Sequence, residues 1–302
     1  MEVSRVGEDG LVERLARLLG SEEIGDDAAP VSCAGKTLLL SCDALREGTH
    51  FLRFFPKREL GWKAVSVSVS DCAASGGRPL WLLTDLSVPP GLELKELLEL
   101  YEGIKEACDY YACKLVGGNT VRDEKLGLSV FVVGEAERFV SRKGARPGQK
   151  LLVSGYLGDA RAGLELLLMR KERYEPFERE LIRRHLRPYA RLDLLPAVVK
   201  HASACMDVSD GFAKDALRLA RSSSVALFVE RDRLPVSDEL KAFCKKYGKD
   251  PYEYALLGGE DYQLLITADG EPEGFTAVGE VREGEGLFVD GERYEKKGFE
   301  HF

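Results

Sequence analysis

The stretch Trp62-Lys63-Ala64-Val65-Ser66-Val67-Ser68-Val69-Ser70-Asp71-Cys72-Ala73-Ala74 decides how the chain is read. Val and Ser alternate over 65–70 with the period of two that marks a strand with one face in the core. The flanks, Trp62-Lys63-Ala64 and Asp71-Cys72-Ala73-Ala74, suit a helix, and periodicity alone leaves both readings open. The stretch also carries Ser70-Asp71, one of four short acidic motifs along the chain. The others are Gly25-Asp26-Asp27, Ser41-Cys42-Asp43 and Met206-Asp207-Val208-Ser209-Asp210-Gly211. Each stands where an apolar element meets a turn, beside Gly, Ser or Ala rather than inside a solvated charge run. Carboxylates gathered at element ends suit hard cations, because Mg²⁺ takes oxygen ligands and bridges to substrate phosphates.

Outward from that stretch, Gly10 to Leu19 reads as a helix with Leu11, Leu15, Leu18 and Leu19 on one face. Lys36 to Ser41 reads as a buried strand delivering Cys42 and Asp43 to its end. Pro79 to Val88 reads as a strand. After Pro89-Pro90-Gly91 comes a helix with Leu94, Leu97, Leu98, Tyr101, Ile104 and Cys108 on one stripe. Lys114 to Val116 and Leu128 to Glu135 add strands. The polar run Ser141-Arg142-Lys143-Gly144-Ala145-Arg146-Pro147-Gly148 is the best linker, so we divide the chain into domains 1–140 and 141–302. The second half restarts with a strand at Lys150 to Ser154 and a Leu-rich helix opened by Gly158-Asp159. Helices follow around Phe177–Leu186 and Leu192–His201, then the Asp207 motif with its helix. A strand at Val225–Glu230, a helix near Ser237–Tyr247 and strands at Tyr262–Thr267, Thr276–Val281 and Gly286–Val289 complete it. Helices and strands mix without a regular βαβ repeat, which predicts an α+β fold rather than a doubly wound sheet.

The chain has 302 residues, enough for two domains with full cores, and is 44% apolar and 31% charged, an ordinary globular balance. Its net charge of -8 argues against a nucleic-acid surface and would repel ATP or phosphate esters unless the site holds its own cations. The start, Met1-Glu2-Val3-Ser4-Arg5, begins no apolar leader, and no apolar run approaches the roughly 20 residues that span a bilayer, so we expect a cytoplasmic protein. Seven cysteines without a Cys-x-x-Cys pair fit neither a disulfide framework nor structural zinc; most should be small core residues.

Gly35-Lys36-Thr37 imitates the end of a Walker A loop, but Pro30 stands where its first glycine belongs and a strand follows. No Gly-x-Gly-x-x-Gly or Gly-x-Ser-x-Gly occurs. Taken singly, Asp26-Asp27, Asp43 and Asp71 read as turn residues, and Asp207 and Asp210 as the approach to and cap of a helix starting near Gly211. Such a helix start also favours phosphate oxygens. Gly117-Gly118-Asn119-Thr120 is either a plain turn or a close backbone approach to a ligand, and Gly258-Gly259-Glu260-Asp261 repeats the design. Arg142 is either a solvated linker cation or a phosphate clamp. His50 after Glu47-Gly48-Thr49, taken alone, reads as structural.

In order, these motifs resemble those of the thiamine-monophosphate kinase family, within the superfamily that includes aminoimidazole ribonucleotide synthetase. The resemblance runs from Ile24-Gly25-Asp26-Asp27-Ala28-Ala29 through Glu47-Gly48-Thr49-His50-Phe51 and Gly155-Tyr156-Leu157-Gly158-Asp159 to the terminal Gly298-Phe299-Glu300-His301-Phe302. It implies ATP-dependent, in-line phosphorylation of thiamine monophosphate to thiamine diphosphate, with no covalent enzyme intermediate. It implies a Mg²⁺ shell of Asp27, Ser41, Cys42, Asp43, Asp71, Asn119, Asp207 and Asp210. Gly117, Gly118, Arg142 and Ser209 would hold ATP; His50, Glu260 and Phe299 would hold the thiamine end. It further implies a homodimer whose N-terminal sheets pair, a sandwich-like C-terminal α/β domain, and a helix over 62–75. Two positions depart from the family pattern, which has a hydroxyl residue at Cys42 and Asp at Asn119. Thiol is a poor ligand for Mg²⁺, leaving the Cys42 carbonyl, and the amide removes one negative charge.

Overall fold

The computed structural model describes residues 7–21 and 23–296. Its N-terminal part runs α1 (Glu8–Leu19), β1 (Ala29–Cys33), β2 (Lys36–Arg46), α2 (Lys57–Ala74), β3 (Gly77–Val88), α3 (Leu94–Tyr110), β4 (Lys114–Arg122) and β5 (Gly127–Ala136). The strands form one sheet in the order β1-β2-β5-β3-β4, antiparallel except for the β3–β4 pair.

The Val-Ser stretch lies in α2. Every residue from Leu60 to Ser70 is buried, so alternation does not separate a wet face from a dry one. A helix buried all round has no stripe to display, and period two is then no guide to backbone conformation. Val65 and Val69 join Leu39, Leu82, Val130 and Val132 of the sheet in one apolar cluster. The serines bond individually: Ser66 Oγ lies 2.9 Å from Tyr111 Oη, and Ser68 donates to the Val130 carbonyl at 3.2 Å. Helix α3 crosses α2 where Gly61 meets the Leu100 carbonyl and Gly103 the Arg58 carbonyl. A Cβ at either glycine would sit within about 2 Å of that oxygen, so side chains are excluded there. Along α3, Leu100, Ile104, Ala107 and Cys108 are buried, whereas Leu94 and Leu98 are exposed, so the inward stripe is narrower than the apolar spacing predicts.

The C-terminal part runs β6 (Lys150–Ser154), α4 (Asp159–Met169), α5 (Pro176–Leu186), α6 (Leu195–His201), β7 (Ala204–Asp207), α7 (Phe212–Ser223), β8 (Ala226–Val229), α8 (Asp238–Tyr247), α9 (Pro251–Leu257), β9 (Leu264–Ala268), β10 (Phe275–Arg282), β11 (Gly286–Val289) and β12 (Glu292–Arg293). Its sheet order is β12-β11-β8-β10-β6-β9-β7, with β8 and β11 parallel. Alternate residues of β6 and β9 enter two different cores, Leu151, Val153 and Leu265 in one, Leu152, Leu264 and Ile266 in the other. That second core contains Ala73 and Ala74, so the end of α2 packs on the far sheet. Further along α2, Trp62 donates from its indole nitrogen to the Pro188 carbonyl at 2.8 Å, with Arg187 stacked on its ring. The α+β, two-domain expectation holds, with α2 as the shared element.

Three local readings change. Strand β2 continues to Arg46, so Asp43 lies within it rather than at its end. Strand β4 continues through Gly117-Gly118-Asn119, which is therefore not a turn. Strand β7 and helix α9 were not anticipated; β7 is too short, at four residues, to show a period.

Candidate active site

Three carboxylates meet where α2, the end of β7 and the segment before β1 converge. Oxygens of Asp27, Asp71 and Asp207 lie within 4.8 Å of one another, although 180 positions separate the first from the last. Ser70 donates to Asp207 at 2.6 Å, joining the two domains through a buried hydrogen bond, and Ser41 donates to Asp71. Asp43 stands on β2 two residues beyond Ser41, on the same face, and one of its oxygens is buried without a hydrogen-bond partner.

Burial raises the pKa of Asp71 well above the ordinary value, and the charges of Asp43, Asp207 and Asp27 raise it further. Asp207 is raised well above its ordinary value by burial and then by Asp27. Asp43 is raised mainly by burial. Asp27 is raised too, because burial outweighs the neighbouring Arg142 guanidinium. Two ionised carboxylates at such separations repel by roughly 3 kcal/mol at an effective dielectric near 20. Such a group retains protons or takes up cations. The donors are all oxygen, one of them orphaned, which fits a hard divalent ion such as Mg²⁺.

Arg142 closes one side. Its guanidinium bonds the Gly25 carbonyl at 3.0 Å and pairs with Asp27, while its backbone N–H donates to Asp26 at 2.7 Å. Ser141 donates to both Asp26 oxygens at 2.9 Å. Asp26 therefore fastens the Asp27 segment to the start of the linker, and Arg142 is an engaged cation rather than a solvated one. Asp210 takes a different environment, paired with Lys214 at 2.8 Å and Arg218 at 2.6 Å. It does not cap α7. The N–H groups of Asp210 and Gly211 are instead received by the buried Asp215 carboxylate, at 3.0 and 3.1 Å.

A second corner forms around Glu260. The Glu260 N–H donates to the Ser209 carbonyl at 2.7 Å, and its backbone is left-handed, with φ 65°. The next residue, Asp261, receives the N–H groups of Gly158 and Ala160 at the start of α4 and so anchors the loop. The Glu260 carboxylate lies 2.7 Å from Lys63 Nζ and 3.3 Å from His185 Nδ1. His50, in the turn after β2, accepts the Arg46 N–H on Nδ1 at 3.1 Å, and its charge acts on Glu260. Phe299 lies outside the described residues.

Comparisons with known proteins place the chain in a family. The model of the AIR synthase related protein N-terminal domain matches residues 25–136, and that of the AIR synthase related protein C-terminal domain matches 146–291. The thiamine-monophosphate kinase of Aquifex aeolicus is 53% identical over the full length of both chains, and that of Pyrococcus horikoshii is 30% identical, covering 95% of this chain and 92% of its own. The chain belongs to the thiamine-monophosphate kinase family. The solved structure of AaThiL complexed with AMPPCP and TMP superposes with a TM-score of 0.98 at 53% identity, covering 100% of this chain and 99% of that one.

Within this family member, several sequence-selected residues stand apart from the carboxylate corner. Cys42 is exposed and lies on the opposite face of β2 from Ser41 and Asp43, in register with Phe131 and Leu83. Asn119 is on the same outer face, donating to Asp85 at 2.9 Å on the edge of the sheet. The two departures from the family pattern thus share one face, away from α2. Gly117 is exposed on that edge, and the bare α-carbon of Gly118 is used against β3, where a Cβ would lie 2.3 Å from the Thr84 carbonyl. Sequence reasoning missed Lys63, His185, Asp26 as a fastener, and the Lys214–Arg218 pairing of Asp210. Asp26 and Asp210 stood in quoted motifs and Lys63 in the Val-Ser stretch, but nothing local marked their partners; His185, Lys214 and Arg218 carried no signal.

Proposed function

We propose that this chain transfers the γ-phosphoryl group of ATP to the phosphate of thiamine monophosphate, giving thiamine diphosphate and ADP. The observation that carries the reading is the meeting of half-buried Asp27 and Asp71 with buried Asp207, from two domains. An acceptor phosphate oxygen is already a nucleophile, so no side chain need form a covalent bond, and in-line transfer requires positioning and charge neutralisation. Asp27, Ser41, Asp43, Asp71 and Asp207, with Asp210, the Cys42 carbonyl and Asn119 farther out, would hold several Mg²⁺ ions. Bound there, Mg²⁺ would neutralise charge on the two approaching phosphates. Arg142, Ser209 and the Gly117-Gly118 edge would orient ATP; His50, Glu260 and Phe299 would receive the thiamine end, Phe299 by stacking on its cationic ring. In this reading residues 1–140 supply most metal and nucleotide contacts and the dimer surface, and 141–302 complete the site.

A homodimer is part of the proposal. The outer face of the N-terminal sheet exposes Val31, Leu40, Trp81, Leu83 and Phe131, an apolar surface of the kind that a second copy covers. Trp81→Glu should then shift the protein to monomer in equilibrium sedimentation. We also place the protein in the cytoplasm, where ATP is available; no helix among the described residues is long and apolar enough to cross a membrane.

The deciding experiment is thiamine diphosphate formation from thiamine monophosphate and ATP, with and without Mg²⁺. Metal-dependent product with stoichiometric ADP supports the kinase. ATP binding without product would favour a binding-only relative weakened at Cys42 and Asn119.

A further inference from the structure

We propose that Lys63 is a positioning residue for the thiamine end of the site, acting through Glu260. The inference rests on the reading of Glu260 given above. Lys63 lies in the middle of α2, where the surrounding residues from Leu60 to Ser70 are buried, and only 4% of its own side chain is exposed. An ammonium taken out of water at such a place is unfavourable unless a carboxylate meets it. Glu260 Oε1 does so at 2.7 Å and is the only acid within ion-pair distance of Lys63 among the described residues.

The other carboxylate oxygen faces His185, from α5, at 3.3 Å from Nδ1. His185 is fully buried, with the ring of Phe55 edge-on at 5.9 Å. Burial and then the Lys63 charge push its pKa down to about 3, so the imidazole is neutral at working pH and Lys63 is the principal charge balancing Glu260. Glu260 itself remains about a quarter exposed. A carboxylate braced from behind by two buried side chains and open on its remaining side is directed at something other than the protein. Its left-handed backbone, held by the Ser209 and Asp261 bonds, fits the same conclusion.

The helix adds a spacing. Lys63 and Ser70 are seven residues apart on one face of α2, which is about 10.5 Å along its axis. Ser70 holds Asp207 at the carboxylate corner, while Lys63 holds Glu260 at the other. One rigid element therefore sets the distance between the group that meets the phosphate end and the group that meets the far end of the acceptor.

The groups facing Glu260 are Lys63 from α2, His185 from α5 and His50 from the turn after β2, with Asp261 and Tyr262 on its own loop. Burial raises the Glu260 pKa, but Lys63 foremost and then the histidines outweigh it, and the net direction is down. Without Lys63, and with His185 neutral at working pH, burial is no longer outweighed. The carboxylate then takes a proton on the acid side and regains its charge as pH rises.

The test is steady-state kinetics of the full chain with Mg²⁺, comparing wild type, Lys63→Met, Glu260→Gln and the double variant. Lys63→Met should raise KM for thiamine monophosphate roughly tenfold or more, as when one partner of a buried charge pair is removed. Its kcat should stay within about threefold and KM for ATP should not change, since that end of the site is untouched. The raised KM should fall as pH increases from 6 to 9, while the wild-type value stays flat. In the Glu260→Gln background, Lys63→Met should add less than about twofold, because coupled residues are not additive. An unchanged KM for thiamine monophosphate, an equal rise in KM for ATP, or additive penalties would overturn the proposal. If Lys63→Met alone does not fold, Lys63→Gln takes its place in the same cycle. Absence of thiamine diphosphate from the wild type would instead refute the functional reading beneath it.

Discussion

The carboxylate corner and the Glu260 corner are built on the same helix and solve opposite electrostatic problems. At Asp27, Asp71 and Asp207 the protein gathers negative charge and supplies little positive charge from within, Arg142 being paired with Asp27 alone. At Glu260 it buries a cation, Lys63, against a single carboxylate and closes the account internally. On the function proposed above, ions from solution complete the first corner, whereas the second is complete as folded. Burial is similar at both. What differs is the source of the counter-charge, and on the proposed function this would separate a site for exchangeable metal from one for a shaped ligand.

The largest effect expected from this contrast is at the carboxylate corner. Asp71→Asn or Asp207→Asn should reduce turnover by on the order of 10²–10³-fold or more, comparable to removing a preorganised electrostatic group. Because the same change relieves like-charge repulsion, the variants should melt no lower than wild type in EDTA. A variant at either position that keeps wild-type turnover at limiting Mg²⁺ would break the contrast. Metal removal gives the next effect. The folded-state pKa values of Asp71, Asp207, Asp43 and Asp27 are raised, and that of Asp215 is raised to about 7 by burial, from an ordinary 3.8. Stability conferred by a raised carboxyl pKa is present below the unfolded value and is lost as pH rises through the folded one. The metal-free protein should therefore lose Tm as pH is raised from about 4 to 7 and beyond, and saturating Mg²⁺ should flatten that slope. A slope unaffected by Mg²⁺ would mean that the ions bind elsewhere.

Much of the first corner was legible in the sequence because its members sit in short motifs with Gly, Ser and Ala neighbours, as in Gly25-Asp26-Asp27 and Ser70-Asp71. The second was not. Lys63 precedes a Val-Ser run whose period of two suggested a strand, and His185 lies in a helix with Arg183 and Arg184, where a histidine carries no sign of being buried. Pairing across 75 or more positions leaves no local trace, so the cation that balances Glu260 could be found only in three dimensions. Asn119 shows the reverse. Its motif was visible, but a glycine pair inside a strand looks the same on paper as one in a turn, and only the register with Asp85 separates them.

Two smaller effects sharpen the comparison. Ser70→Ala removes the hydroxyl that joins α2 to Asp207, and the lost buried hydrogen bond should lower stability by about 0.5–1.5 kcal/mol and raise the Mg²⁺ concentration needed for half-maximal rate. Urea unfolding and a Mg²⁺ titration would measure both; unchanged values would mean that α2 does not position Asp207. Asn119→Asp should change the rate at saturating Mg²⁺ by less than about threefold, because position 119 is exposed and on the outer face, where charges contribute little. A large gain would mean that the amide at 119 leaves the outer part of the proposed metal shell short of charge.

The passage of α2 between the two sheets also bears on how the molecule is made. A ribosome releases the five-stranded sheet and this helix long before Asp207 is synthesised, and until the second sheet and its core assemble Ala73, Ala74 and Ser70 lack most of their partners. The nascent half-protein thus carries an unfinished surface, and the final closure of that surface and the completion of the carboxylate corner are one event. Misdocked chains would be inactive rather than slow.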